Sequence, residues 1–488
     1  MNKNKSLTKN SFFYLLYNVL NVIFPFITGM YVTHILLPDN IGLVETAKNF
    51  VQYFVIFSFL GIPTYGLKEV AKNRNNKEKL SKIYSELMII NFISTVLFCC
   101  IYLVLLFLIP KCVENLKLYL IVGISLILNV FNNAWLYEGL EEFKYISIRN
   151  LIFKVVSFII LIIFVKSPND YLVYASITVI GTAGNYILNI VNSSKFVKFT
   201  LKDLNLKQHM KSIIYLVVVN LAIEIYSLVD VTMLSMFCDN DTVAFYSYGI
   251  KIYKILLQVV NTFTMVLVPR IALYYKEKNI KEFNSLLTKT LKIIIIITIP
   301  MIIGINFTSS YLITMIYGEQ YIRSAKVLNI VATILLISPI GYLLGSRVLL
   351  VTNNEKKMVI PVSIGAICNV IGNYFLINKY KELGAATASV FSEFMVMAIY
   401  VILGKKYFKL NSLKQFWPKV LCANLLCIIY LFVISKLGID KIYITVIQIL
   451  GSCLIYFIVL IITKEEFVYS FFENKVLVGV ERWMKRKN

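Results

Sequence analysis

The chain has 488 residues, of which 58% are hydrophobic and only 15% charged, and its mean hydropathy is +0.75. A soluble protein of this length could not stay in solution with so apolar a composition, so a soluble enzyme is excluded and an integral membrane protein is predicted. The formal net charge of +23 would suit nucleic-acid binding. The basic residues are concentrated between the apolar stretches, however, so we predict no nucleic-acid partner.

Apolar stretches of 18 or more residues recur along the chain, and each can cross a hydrocarbon core of about 30 Å. A segment in lipid must satisfy its own backbone hydrogen bonds, so each stretch is predicted to be an α-helix. The predicted fold class is therefore an all-α integral membrane protein with fourteen transmembrane helices. The predicted spans are 11–37, 42–67, 83–109, 117–138, 148–165, 171–191, 212–237, 243–269, 291–317, 327–352, 359–377, 382–404, 419–437 and 441–463.

The lysines and arginines indicate the topology. With the amino terminus placed inside, most of them fall in inner segments and few in outer loops, which predicts that both termini are cytoplasmic. The first span follows Lys3, Lys5 and Lys9, but it is too long for a signal peptide and lacks a small-residue cleavage site, so we expect it to be retained. Residues 464–488 are predicted to be an amphipathic tail on the inner surface, with a plain solvated tail as the alternative.

The sequence contains no pattern typical of an enzyme or a metal site. The eight cysteines form no CxxC pair, and the two histidines, His34 and His209, are isolated in the sequence. No glycine-rich phosphate loop or hydrolase motif occurs. We therefore predict no catalytic residues, no metal and no cofactor.

The two halves of the chain repeat each other. A shift of 202 positions places Asn18 on Asn220 and Thr28 on Asp230, and the same shift aligns two helices and the hairpin between them. Parallel repeats with an even number of helices are related by a pseudo-two-fold axis along the membrane normal. The predicted domains are 1–200 (helices 1–6), 201–410 (helices 7–12), 411–463 (helices 13–14) and the tail 464–488.

The first helix of each predicted lobe carries a polar stripe. A charge facing lipid costs at least about 2.5–3.5 kcal/mol at the bilayer centre, so we expect these stripes to face a wet cavity between the lobes. The carboxylates are candidate carriers of a coupling H+ or Na+, because burial raises a carboxyl pKa. The candidate substrate-binding residues of the stripes are Asn18, Asn21, Asn220 and Ser227, and the candidate ion-coupling residues are Glu224, Asp230 and, in helix 2, Glu45.

Basic side chains inside the predicted helices are candidate anion ligands. Lys251 and Lys254 lie on one face of helix 8, and Lys48 in helix 2 follows Glu45 by three residues. The alternative is that Glu45–Lys48, and Glu224–Lys251 or Asp230–Lys254, are internal ion pairs that only hold helices together. Arg270 and Arg347 are further candidates, although snorkelling to lipid headgroups would equally explain their positions near helix ends.

Three stretches resemble a known family. "GIPTYGLKEVAKNR" (61–74), "WLYEGLEEFKYISIR" (135–149) and "SLVDVTMLS" (227–235) are similar to motifs of bacterial oligosaccharide flippases in the multidrug/oligosaccharidyl-lipid/polysaccharide exporter superfamily. The resemblance runs from about residue 8 to residue 404. It implies a multi-pass protein of the bacterial cytoplasmic membrane that exports a polyprenyl-diphosphate-linked glycan for a cell-surface polysaccharide such as capsule or O-antigen. The implied partners are membrane lipids and the glycosyltransferases and polymerase of the same pathway.

Three other functions remain as alternatives at this point. A multidrug or cation antiporter of the same superfamily would need an acidic cavity. A lipid II flippase would differ only in its substrate. A membrane-embedded glycosyltransferase or polymerase would need catalytic residues on a large outer loop, and the predicted outer loops are short.

Overall fold

The computed structural model describes residues 7–265, 267–437 and 441–473, and throughout these ranges every regular element is a helix. The all-α class is thus confirmed. The chain divides into two compact units, Met1–Ser247 and Tyr248–Asn488. The predicted domain limits at residues 200, 410 and 463 stay predictions.

The first unit contains the helices up to α11 and the start of α12. They are α1 (Leu7–Val32), α2 (Pro38–Phe59), α3 (Ile62–Asn73), α4 (Lys77–Leu108), α5 (Pro110–Glu114), α6 (Leu116–Leu128), α7 (Ala134–Gly139), α8 (Phe143–Phe164), α9 (Tyr171–Val179), α10 (Tyr186–Ser193), α11 (Lys207–Phe237) and α12 (Asn240–Met265).

In the part that the structure describes, the second unit contains the rest of α12 and nine further α-helices. They are α13 (Val268–Lys276), α14 (Ile280–Tyr317), α15 (Arg323–Val331), α16 (Ile334–Gly341), α17 (Val348–Val351), α18 (Val359–Gly404), α19 (Phe416–Ser435), α20 (Lys441–Ile462) and α21 (Glu466–Phe471).

Within the described residues, 11 helical stretches are long and apolar enough to span a membrane. One of them, Glu355–Tyr407, contains two of the predicted spans. Two shorter apolar stretches, Ile23–Val32 and Tyr226–Phe237, belong to α1 and α11. Membrane-spanning helices are therefore confirmed, while the count of fourteen stays a prediction.

The long helix α18 is a hairpin that reverses at Lys381, where φ is 49° and ψ is −126°. Its two limbs run antiparallel, because contacts on either side of the turn pair in opposite order. Gly372 faces Ala388, and a Cβ added to Gly384 would lie 2.2 Å from the carbonyl oxygen of Leu376. Only a residue without a side chain permits so close an approach of the two limbs.

A buried cluster forms the core of one end of the first unit, where α3, α4 and α7 meet. Trp135 is 2% exposed, and a Cβ added to Gly66 would lie 2.6 Å from its ring. Ile62, Val70 and Leu87 are fully buried in the same cluster. The apolar face of α3, which follows the α2 span directly, is thereby fixed on the bundle.

The connection from α10 to α11 is tied along α4, and we call residues 197–206 the first strap. The backbone N–H of Lys198 donates to Oγ of Ser81 at 3.0 Å, and that of Thr200 donates to Oγ of Ser85 at 2.9 Å. The two serines are one helical turn apart, so they present their oxygens to alternate residues of an extended chain.

The second unit has the same arrangement at residues 408–413, the second strap. The backbone N–H of Lys409 donates to Oδ1 of Asn284 at 2.9 Å, and that of Asn411 donates to Oγ1 of Thr288 at 3.0 Å. These acceptors on α14 lie 203 positions after Ser81 and Ser85. The repeat seen in the sequence therefore extends to matched side-chain contacts inside each unit.

A buried polar network closes the first strap. Glu86 is fully buried; its Oε1 accepts from the backbone N–H of Asn205 at 2.6 Å, and its Oε2 lies 2.8 Å from Nε2 of His209. The hydroxyl of Tyr65 lies 2.8 Å from the other ring nitrogen of His209. His209 is isolated in the sequence, but in the fold it joins α3, α4 and α11.

Candidate functional site

A polar cluster joins α1 to α8 inside the first unit. Asn150 and Lys154 are one turn apart on α8 and are 4% and 5% exposed. The ammonium of Lys154 donates to Oδ1 of Asn21 at 2.8 Å and to the carbonyl oxygen of Leu20 at 2.9 Å. The amide of Asn150 donates to the same Asn21 oxygen at 2.9 Å. Asn21, which the sequence predicted as substrate-binding, thus holds a buried cation.

A second buried cation lies beside this cluster. Arg149 is 6% exposed, its Cζ lies 5.4 Å from the ring centroid of Tyr145, and its Nε and Nη1 have no hydrogen-bond partner. In the part of the chain that the structure describes, no carboxylate lies within ion-pair distance of Arg149 or Lys154. Buried charge without a counter-ion is costly, so the cluster suits an anionic ligand.

Arg149 and Lys154 are not among the site residues predicted from the sequence. The predicted anion ligands came from helices 2 and 8 and from the helix ends at Arg270 and Arg347, whereas these two cations lie in the fifth predicted span, 148–165. The available signal was two basic residues inside an apolar stretch long enough to cross a membrane.

Amide and hydroxyl groups join α2 to α11. The amide of Asn49 donates to Oγ1 of Thr232 at 2.8 Å, and the hydroxyl of Tyr53 shares a hydrogen bond of 2.8 Å with the same oxygen. Asp230, two residues before Thr232 on α11, is 9% exposed and accepts a hydrogen bond from the hydroxyl of Tyr246. Asp230 therefore lies in a polar environment, as expected for a carboxylate in an apolar helix.

Lys48 and Glu45 form an ion pair within α2. The ammonium lies 3.2 Å from Oε1 of Glu45, and the lysine and glutamate side chains are 32% and 14% exposed. The structure thus contains the internal pair that was the alternative to a role in binding. Substrate binding by Lys48 and ion coupling by Glu45 stay predictions.

In the second unit, Lys251 lies over the ring of Tyr248, with its ammonium 3.6 Å from the ring centroid. Tyr248 packs in turn against Tyr317 and Tyr321 at centroid distances of 4.8 and 5.2 Å. The three rings are buried and provide a rigid support for the cation, and a ring face attracts an ammonium.

The other predicted site residues do not gather in one described cluster. Arg347 is partly buried at the end of a π-helical turn, Tyr342–Arg347. The residues with exposed side chains are Ser227, Lys254 and Arg270. The residues whose side chains lie outside the described part are Asn18, Asn220 and Glu224. The binding and coupling roles assigned to all seven stay predictions.

Comparison with known proteins gives the family. The family model described as "Polysaccharide biosynthesis protein" matches residues 7–275, and the model described as "MatE" matches residues 216–375. A putative O-antigen transporter of Escherichia coli (strain K12) is 22% identical over 407 residues, which cover 82% of this chain and 98% of the relative. A putative O-antigen transporter of Shigella dysenteriae is 24% identical over 399 residues, covering 80% and 98%.

A solved structure shares the fold. A lipid II flippase, MurJ, in an inward closed conformation superposes with a TM-score of 0.65 at 17% identity, covering 91% of this chain and 99% of that one. At this identity the likeness concerns the fold alone. The match to the family model covers more than half of the sequence, so it establishes family membership. The chain belongs to the family of polysaccharide biosynthesis proteins.

Proposed function

We propose that this protein moves a polyprenyl-diphosphate-linked oligosaccharide from the cytoplasmic to the outer leaflet of a bacterial cytoplasmic membrane by alternating access. The observation that carries the proposal is the pair of buried cations on α8, Arg149 and Lys154, which have no carboxylate partner in the described part of the chain. Family membership and the likeness to O-antigen transporters support the same reading.

A sugar–diphosphate headgroup cannot cross hydrocarbon unaided, because its charges and hydroxyls would lose their water. Basic side chains with charge-assisted hydrogen bonds to phosphate would replace that hydration. The amides of Asn21 and Asn150, already gathered at Lys154, are suited to sugar hydroxyls. The lipid tail would remain in the bilayer.

The direction of transport follows from the membrane potential. With a cytoplasm negative by about 100 mV, moving two negative charges outward is favoured by about 4.6 kcal/mol. Export on this basis needs little help from a coupled ion. If an ion is coupled, Asp230, Glu224 and Glu45 are the proposed carriers of H+ or Na+, and no other cofactor is proposed. We place both termini in the cytoplasm and the glycosyltransferases and polymerase of the pathway nearby.

Purified full-length protein in liposomes tests the proposal directly. A labelled polyprenyl-diphosphate oligosaccharide is supplied in the inner leaflet. A glycan-cleaving enzyme outside the liposomes then reports the arrival of the glycan in the outer leaflet. Glycan-lipid movement well above protein-free liposomes is the expected result. The contrary result is no movement of this lipid together with efflux of ethidium that requires Asp230, which would make the protein a cation antiporter.

Lipid II serves as the second substrate in the same liposomes. Its headgroup carries the same diphosphate, so the comparison isolates recognition of the glycan. Faster movement of lipid II than of the oligosaccharide lipid would assign the protein to peptidoglycan synthesis instead.

A further inference from the structure

Four basic side chains of the second unit meet at one open cavity of about 590 Å³. Arg323 and Lys326 come from the first turn of α15, and Lys379 and Lys381 come from the tip of the α18 hairpin. All four are exposed, and one carboxylate, Glu382, also lines the cavity. The cavity wall therefore carries an excess of positive charge.

An ion pair fixes the two parts of this cavity together. Nε of Arg323 donates to Oε1 of Glu382 at 2.9 Å, and Nη2 donates to Oε2 at 2.9 Å. Glu382 is 4% exposed, whereas the arginine side chain stays 47% exposed. A bidentate pair of this kind sets the orientation of the guanidinium and joins the first turn of α15 to the tip of the hairpin.

The backbone at Lys381 is strained. Its φ of 49° with ψ of −126° is a conformation that glycine adopts readily and that other residues rarely adopt. A lysine at the turn of a tight hairpin therefore costs stability relative to glycine. Strain of this kind, next to a cavity, points to a use for the side chain.

General topology does not account for the charges. The α15 residues that line the cavity come shortly after the carboxyl end of α14 in the sequence. The second strap is bound near the amino end of α14, at Asn284. A helix of 38 residues separates these ends by about 57 Å. The strap end carries most of the basic residues of this unit, so the cavity lies at the end that the positive-inside rule assigns to the outer surface.

An apolar stripe leads along the hairpin to the cavity. Ile371, Phe375 and Lys379 follow one another at intervals of four residues on the first limb, and the two apolar side chains are 53% and 68% exposed. Tyr380, beside the lysine, is 50% exposed. An apolar stripe that ends in tyrosine and lysine is the pattern of a helix surface crossing from acyl chains to headgroups.

We propose that this cavity binds the phosphate of an anionic phospholipid headgroup in the outer leaflet, with one acyl chain along the stripe of Ile371 and Phe375. Lys379, Lys381 and Lys326 supply charge-assisted hydrogen bonds to the phosphate, and Arg323 supports them from its pair with Glu382. The site is separate from the α8 cluster in the first unit, and its test does not depend on the proposed transport.

The test uses full-length protein in nanodiscs of phosphatidylcholine with increasing phosphatidylglycerol, and native mass spectrometry counts the lipids that stay bound. The double variant Lys379→Gln, Lys381→Gln should need about tenfold more phosphatidylglycerol for the same occupancy. The matched control is Lys276→Gln, Lys281→Gln, two exposed lysines at the strap end of the unit, and it should behave like the unmodified protein. Equal losses in both double variants would overturn the proposal.

Lys381→Gly separates binding from folding. Glycine removes the strain, so the variant should unfold at a higher temperature while it binds phosphatidylglycerol more weakly. A higher unfolding temperature with unchanged lipid binding would show that the lysine has no part in the site. Inorganic phosphate is the last arm: if it displaces the lipid at equal micromolar concentrations, the site is one for free phosphate and the lipid assignment is wrong.

Discussion

The helix α8 of the first unit and the first limb of the α18 hairpin of the second occupy equivalent places in the repeat, and the same turn precedes both. Before α8, Glu141 has a φ of 58° and the N–H of Glu142 donates to the Tyr137 carbonyl at 2.8 Å. Before α18, Asn353 has a φ of 56° and the N–H of Asn354 donates at the same distance to Leu349.

The buried polar groups of these two helices differ. On α8 they include the cations Arg149 and Lys154, whereas the first limb of α18 buries the amides Asn369 and Asn373, which bond to each other at 3.2 Å. The turn before the helix is thus repeated in the two units, but the buried positive charge of α8 is not. Buried cations are unnecessary for folding such a unit, which favours a binding role for those of α8.

The largest expected effect is on the free energy of unfolding, and it concerns the turn that follows the first limb of α18. A loop joins α8 to α9, but the limbs of α18 meet directly, so Gly384→Ala would press a Cβ to within 2.2 Å of the Leu376 carbonyl oxygen. We expect a loss of about 3 kcal/mol of unfolding free energy. Thermal unfolding of purified protein measures it.

Gly304→Ala is the matched control, since nothing lies within 4 Å of a Cβ added there. It should leave the unfolding temperature unchanged or slightly raised. Equal unfolding temperatures for the two variants would contradict the close packing of the hairpin.

The next effect tests the charge difference itself. Lys154→Ala removes one proposed charge-assisted hydrogen bond to the diphosphate, which would contribute about 1.5–3 kcal/mol, so glycan-lipid movement in liposomes should fall about 10- to 100-fold. Lys154→Arg should retain a larger share, because it keeps the charge. Lys144→Gln, an exposed position on the same helix, should move the lipid normally.

Asn373→Ala is the corresponding change in the second unit. It should lower the unfolding temperature and leave transport per folded molecule intact. The reverse pattern, with transport lost in Asn373→Ala and kept in Lys154→Ala, would place the working site in the other unit.

The length of the apolar stretches predicted the helices, because lipid forces backbone hydrogen bonds to close within each span. It also placed the end of one span at 377 and the start of the next at 382, and the structure reverses at Lys381. These features are local, and local rules were sufficient for them.

Contacts between distant residues could not be predicted in this way. Glu86 and His209 are 123 positions apart, and no pattern in either neighbourhood indicates that they meet. The sequence shows Lys154 as a charge within a predicted helix. Its hydrogen bond to Asn21, however, depends on the packing of α1 against α8. The repeat aligned helices, whereas the chemistry of each interior depends on which faces pack together.

The hydroxyls of Ser85 on α4 and Thr288 on α14 allow the two straps to be tested separately. Ser85→Ala should release the N–H of Thr200, and Thr288→Val should release that of Asn411, each at a cost of about 1 kcal/mol. Hydrogen exchange should then accelerate at the released amide in one unit while the other strap keeps its protection. Faster exchange in both straps from a single substitution would contradict the independence of the two contacts.

The smallest effect concerns α21, which follows the two repeats in the sequence. The ammonium of Lys292 lies 2.9 Å from Oε2 of Glu466, and this hydrogen bond lowers the pKa of the glutamate from its ordinary value of 4.5. A lowered pKa means that the pair stabilises the docked helix fully above pH 4.5 and loses its effect as the pH falls through the lowered value. The glutamate side chain is 65% exposed, so water and salt reduce the contribution to about 0.5 kcal/mol or less. Glu466→Gln should abolish the acid-dependent increase in hydrogen exchange at Phe467 and Val468, and an increase that persists in the variant would assign it to another carboxylate.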